Sequence, residues 1–201
     1  MPMEPEQLEA EGYRLLDELP HGELIPFVQR AMRLPTLWAR VYWGCTVVGG
    51  VGLLALIPLG PLPWGLALGR IGLGMGLAFL LVPLHELLHA WAYRWVGARQ
   101  TSFDAVWRKF YFMALADRFV ADARAFRVVA LTPFVVITGV GLLASIWAPI
   151  SWAYALWGLV YAHASFCSGD FALLSYFEAQ RPLEVVTYDD VDRKISYFYG
   201  R

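Results

Sequence analysis

Long apolar runs separated by short polar intervals set the first expectation for this chain. Crossing a bilayer as a helix takes about 20 consecutive, mostly apolar residues. Four stretches qualify: residues 37–59, 66–96, 128–147 and 152–177. The first two are separated by "PLGPLPWG" and the last two by "APISW", both of which read as tight turns. Between the second and third runs the period changes: "SFDAVW" and "FYFMALAD" are rich in aromatics and flank Arg108 and Lys109, a pattern that predicts a short β-hairpin. The pattern therefore predicts an all-α integral membrane protein with four transmembrane helices and one small hairpin. An amphipathic helical segment (residues 1–36) precedes the four-span core (37–180), and a polar tail (181–201) follows it.

Composition strengthens the membrane reading. Of the 201 residues, 58% are hydrophobic and only 16% charged, and nine are tryptophan, well short of the charge a soluble domain of this length carries. Nothing in it suggests a nucleic-acid partner. The first 35 residues lack the basic start and short apolar core of a cleavable leader. Basic residues orient the spans. The two short turns have none, whereas residues 97–127 carry Arg99, Arg108, Lys109, Arg118, Arg124 and Arg127, with further arginines in both terminal segments. By the positive-inside rule, both termini and the 97–127 interval face the cytoplasm. Cys45 and Cys167 fall in apolar runs without CxxC spacing and read as plain buried thiols. Gly65, Gly69, Gly72 and Gly76 have the small-xxx-small spacing that lets helices approach closely. Arg70 is expected to snorkel to the headgroups, and "TPF" at 132–134 to kink the third span, with a neighbour taking up the freed carbonyl.

The second run holds the candidate chemistry. "HELLH", residues 85–89, matches His-Glu-x-x-His. On a helix, residues i and i+4 share a face, so His85 and His89 can reach one metal ion, while Glu86 is turned about 100° away. That is the logic of a zinc hydrolase: two imidazoles fix the ion, the ion acidifies a water, and the glutamate serves as general base and then proton donor. A charged group inside a membrane costs at least about 2.5 kcal/mol, which favours a functional role. Two histidines are an incomplete set, since catalytic zinc takes three protein ligands. Asp170 lies 19 residues past Ser151 and His85 lies 22 past Pro63, depths of about 29 and 33 Å along their helices, so Asp170 reaches the same layer. His163, seven residues before Asp170, is open to three uses: bonding the water or the substrate carbonyl, completing the metal site in place of Asp170, or packing as an ordinary histidine. Glu178 is expected in cytoplasmic water.

His-Glu-x-x-His inside a membrane helix, with an aspartate on a later span, resembles the site-2 protease class of intramembrane zinc metalloproteases. The short four-span layout, "HELLHA" followed by a glycine and a strand-forming interval, and "SGD" in the last span are more closely similar to a bacterial family described as putative zincin peptidases. The resemblance covers about residues 65–180. It implies His85 and His89 as zinc ligands, Glu86 as catalytic acid/base, Asp170 as third ligand, and a multi-pass protein of the bacterial cytoplasmic membrane cutting a peptide or transmembrane protein substrate near the cytoplasmic face. The chain departs from the site-2 pattern: glycine precedes Asp170 instead of following it, and there is no asparagine at all, so an oxyanion stabiliser would have to be His163 or Ser168. Substrate choice falls to the membrane portion or the short cytoplasmic segments; the edge of the 102–117 hairpin could pair with an extended peptide, although its basic residues would equally hold anionic headgroups. Two rival readings use the same residues: a non-catalytic membrane module stapled by a metal, and a metal transporter. Against the transporter, the outer half of the spans offers almost no ionisable group besides Arg70.

Overall fold

Prolines and small residues decide where the apolar runs become separate helices. A computed structural model describes residues 4–106 and 111–201. In chain order it contains β1 (Arg14–Pro20), α1 (Leu24–Ala31), α2 (Leu37–Leu59), α3 (Trp64–Leu80), α4 (Val82–Trp95), β2 (Ser102–Val106), β3 (Tyr111–Leu115), β4 (Ala121–Asp122), α5 (Ala123–Trp147), α6 (Ile150–Phe166), α7 (Ser168–Ala179), β5 (Val185–Asp190) and β6 (Ile195–Gly200). They form two compact units. A helical unit comprises residues 40–85 and 133–168; a mixed unit comprises residues up to 39, 86–132 and 169–201.

The first and third predicted spans are the single helices α2 and α5, both long and apolar enough to cross a membrane. The second run is not one helix. It breaks at Leu81 with a 47° bend, and counts as a third candidate span only if α3 and α4 are taken together. Pro83 accounts for the break: it has no N–H for the carbonyl of Phe79, and its ring would collide with that carbonyl in a continuous helix. The Leu81 N–H turns back to the Ala78 carbonyl instead (3.1 Å). The fourth run likewise divides, at Cys167, into α6 and α7. By length and composition the described residues thus hold two or three candidate spans, where hydropathy predicts four.

In the helical unit α3 packs directly on α6, and two glycines permit it. A Cβ on Gly74 would lie 1.7 Å from the Ala155 carbonyl oxygen, and one on Gly158 would lie 2.3 Å from that of Ile71. The backbones therefore touch. The expected Gly65, Gly69, Gly72 and Gly76 are not involved, since a Cβ at any of them meets nothing within 4 Å. Arg70 lies over the Trp152 ring, 4.9 Å from its centroid.

The mixed unit corrects the all-α expectation. Its sheet, in the order β1-β6-β5-β4, is antiparallel throughout. "VVTYDD" and "ISYFYG" are rich in the β-branched and aromatic residues that suit a pleated, half-buried surface. "RLLDELP", expected within a helix, is instead strand β1, because β6 offers it a row of backbone partners from Arg14↔Gly200 to Pro20↔Ile195. The helical part of the N-terminal segment is α1, which buries Phe27 and Ala31. Against the sheet lies an aromatic layer: Phe27 stacks on Phe198, Tyr176 tilts against Phe198 at 4.8 Å, and Phe126 stacks on Phe177 at 4.9 Å. Two of these rings belong to α7. Ser175 anchors the same helix, donating to the Ala31 carbonyl (2.8 Å) and lying 2.6 Å from the Thr36 hydroxyl. Glu178, expected in water, is half-buried and accepts the Trp38 N–H at the start of α2 (3.2 Å). The predicted hairpin is present as β2 and β3, paired from Ser102↔Leu115 to Val106↔Tyr111; its Arg108–Lys109 turn lies outside the described residues. Asp104 ties it to the unit through Lys194 (3.4 Å) and His21 (3.6 Å). Neither cysteine is in a disulfide; Cys167 is buried as expected, whereas Cys45 is exposed on α2.

If backbone contact between α3 and α6 governs the helical unit, Gly74→Ala and Gly158→Ala should each destabilise it by about 1–3 kcal/mol through overpacking. Gly72→Ala, in open space, should be nearly neutral. Thermal unfolding of the three variants in detergent checks this, and equal behaviour of all three would refute it.

Candidate metal centre

Helix α4 begins where Pro83 permits a helix to begin, since a missing N–H in the first turn forfeits no bond. The His85 N–H closes the first turn on the Leu81 carbonyl (2.8 Å). Four-residue spacing then puts His85 and His89 on one face, and both are buried, with Ala92 continuing the row. Leu84, Leu87, Trp91 and Trp95 form the opposite face and are exposed. The helix thus separates its polar chemistry from an apolar outer stripe.

His89 is held at both ring nitrogens within the mixed unit. Its Nε2 lies 3.1 Å from Asp170 Oδ1, and its Nδ1 lies 3.0 Å from the Val129 carbonyl oxygen. A carbonyl only accepts, so Nδ1 carries the proton. The acceptor is available for a covalent reason: inside α5 the helical donor for Val129 would be the N–H of residue 133, which is proline. Asp170 stands in the first turn of α7, where the exposed N–H groups and the helix dipole favour a carboxylate. Two elements of one unit therefore converge on a single imidazole.

His85 has a different partner. In the helical unit its Nδ1 lies 3.1 Å from Nε2 of His163, with the rings 5.3 Å apart at 58°. His163 is only 1% exposed. Cys167 closes the group: one ligand atom from each of His85, His163 and Cys167 falls within 4.8 Å of the others. Its sulfur is also 3.3 Å from the His163 carbonyl. Glu86, beside His85, is half-buried.

Of the residues singled out from sequence, the structure sets Asp170 against His89 and His163 against His85, with Glu86 between the two histidines on α4. The sequence reading passed over Val129, whose role follows from its position four residues before Pro133. Within the mixed unit the His89–Asp170 pair suits a divalent ion: the carboxylate touches the imidazole, whose Nδ1 is directed to a backbone acceptor, the arrangement that orients ligating histidines in metal sites. His85 stands one turn earlier on the same helix, with its own Nδ1 directed to His163.

Residues 78–181, just over half of the chain, match the model of a family described as "Putative zincin peptidase". The chain belongs to that family. No curated protein and no solved structure matches it. The matched region runs from the end of α3 to just past α7, and so includes both histidines of α4, the hairpin, His163 and Asp170. Membership in this family implies zinc as cofactor and a metallopeptidase as the class of enzyme.

Giving residue 133 an N–H should release His89. In Pro133→Ala the new donor competes for the Val129 carbonyl, α5 gains roughly 1–3 kcal/mol of helical stability, and the His89 Nδ1–H resonance shifts and exchanges faster with water. Nitrogen-15 NMR of the imidazoles reads this directly; an unchanged resonance would mean that the freed carbonyl does not hold the ring.

Proposed function

We propose that this zincin-family chain is an intramembrane zinc endopeptidase of the site-2 protease type, in which His85, His89 and Asp170 hold the ion and Glu86 is the catalytic acid/base. The observation that carries the reading is the pairing of His89 with Asp170 at 3.1 Å, joining the HELLH helix to the one aspartate whose depth in the apolar sequence matches it. The membrane setting draws support from the apolar length of α2 and α5 and from the exposed Leu84, Leu87, Trp91 and Trp95 on the outer face of α4, a stripe suited to lipid, with tryptophan near the interface. We assign four crossings, with α3–α4 and α6–α7 as broken ones, in a bacterial cytoplasmic membrane with both termini inside. Helix breaks are tolerated at membrane depth where they are buried in protein or line a cavity.

Zinc, when bound, supplies Lewis acidity that lowers the pKa of a water and polarises the scissile carbonyl. The Glu86 carboxylate takes a proton from the water as its oxygen bonds to the carbonyl carbon. It returns that proton to the amide nitrogen as the C–N bond breaks, so one water is consumed and a carboxylate and an amine are released. Glu86 suits this work because α4 turns it off the histidine face while keeping it one residue from His85. The hairpin of β2 and β3 suits substrate selection: each of its strands has one paired edge, and an outer edge can take an unwound peptide as an added strand.

Metal content and turnover together test the assignment. Detergent-purified wild type should carry about one zinc per chain, lost in His85→Ala and Asp170→Ala. Glu86→Gln should keep the zinc while cleavage of a membrane-spanning reporter falls by about 10²–10⁴-fold, the share general acid/base catalysis supplies. A well-folded wild type that stays metal-free in added zinc sinks the reading. Full activity in Glu86→Gln reduces the metal to a structural staple.

A further inference from the structure

We propose that His163 is a positioning residue for His85: its Nε2 accepts the Nδ1–H of His85, fixing the tautomer and ring plane in which His85 Nε2 would bind zinc. This inference rests on the zinc reading above. It assigns His163 neither to the ligand set nor to contact with substrate.

The argument is a proton count. A neutral imidazole has one N–H and one lone pair in the ring plane. If His85 binds an ion through Nε2, that nitrogen uses its lone pair, and the proton sits on Nδ1. At 3.1 Å from His163 Nε2, that proton needs an acceptor, so the His163 lone pair must point at it. The same lone pair cannot also bind an ion, which removes His163 from competition with Asp170. The rings are tilted 58° to one another with centroids at 5.3 Å, which is compatible with a hydrogen bond between ring nitrogens. His89 follows the same rule with a different acceptor, the Val129 carbonyl at 3.0 Å. Each α4 histidine therefore has its outer nitrogen fixed by its own partner, one a backbone oxygen and the other an imidazole.

Packing makes the His163 ring a dependable acceptor. Five residues earlier on α6, Gly158 lies against the Ile71 carbonyl, and Gly74 of α3 lies against Ala155. With backbones in contact, α6 cannot slide or rotate without collision. His163 is enclosed, so water does not compete for its lone pair. Partners outside the first coordination sphere typically change metal affinity 10- to 100-fold when removed.

Zinc affinity, by competition with a chromogenic chelator on the full chain in detergent, distinguishes the roles. His163→Leu, which removes the acceptor, should bind zinc about 10- to 100-fold more weakly. His163→Gln can place an amide oxygen near the lost Nε2 and should recover to within about threefold of wild type, the rescue expected of an acceptor that never touches the ion. Cobalt-loaded wild type and His163→Gln should have the same visible spectrum, without a thiolate charge-transfer band. Unchanged affinity in His163→Leu overturns the proposal while leaving the zinc site standing. So does loss of metal in both variants with an altered cobalt spectrum, which would make His163 a ligand, or a thiolate band, which would recruit Cys167. A metal-free wild type overturns the zinc reading first, and the proposal with it.

Discussion

The hydrogen bond from His89 to the Val129 carbonyl depends on a proline four residues further along the chain. In an unbroken helix every internal carbonyl already has a donor, and a side chain that approaches it finds only a shared acceptor. Pro133 leaves one carbonyl without its helical partner at a buried position. A buried polar group left unsatisfied costs about 1–3 kcal/mol, so pairing it with the histidine settles two demands at once. The carbonyl regains a donor, and the imidazole is held with Nδ1 protonated and Nε2 directed to Asp170. Most of the site follows from that choice of tautomer. With Nε2 turned toward Asp170, the carboxylate and the imidazole converge where a cation would be welcome.

The same economy runs through the apolar parts of the chain. Polar atoms there are few, and several of those with assigned bonds pair with groups that a helix end or break has released. Glu178 takes an N–H from the first turn of α2, Ser175 gives its hydroxyl proton to the Ala31 carbonyl at the end of α1, and His89 donates to the Val129 carbonyl four residues before Pro133. Satisfying helix termini and breaks internally is what a low-dielectric surrounding demands of a backbone. It also explains how a chain so apolar can place His89, Ser175 and Glu178 away from solvent: each is introduced beside a group that already needs it.

How much of this was legible in the sequence depends on how far apart the interacting residues lie. HELLH was readable because its geometry is local, a matter of 3.6 residues per turn. The hairpin was readable for the same reason, since an Arg-Lys pair between two aromatic runs is a short-range signal. Asp170 was singled out by counting residues inward from a turn; the structure sets its carboxylate 3.1 Å from His89, with both of the counted runs broken. The breaks had a visible cause in Pro83, which a hydropathy window averages away. Strand β1 was hidden because Arg14–Pro20 finds its partner at Ile195–Gly200, nearly the whole chain away. The glycines were misjudged for a related reason. Regular spacing at 65, 69, 72 and 76 is a sequence property, whereas Gly74 and Gly158 matter because two particular helices cross there.

The helix breaks also bear on how a site of this kind is held. A single straight helix from residue 66 to 96 would tie the orientation of the histidines to the packing of residues 66–80, so any tilt there would swing them away from a carboxylate on another helix. Breaking the run at Leu81, and the last run at Cys167, gives α4 and α7 starting points of their own. From there each can be fastened by local means. For α7 these are the aromatic layer over the sheet and the Ser175 anchor; for α4 they are the Val129 and His163 contacts. Catalytic and metal sites require their groups held within about 0.5 Å, which rigid supporting contacts provide better than long levers. Here Asp170 and His89 both belong to the unit that contains the sheet. The carboxylate–imidazole pair is therefore braced by a framework of strands and aromatic rings that long apolar helices alone would not supply.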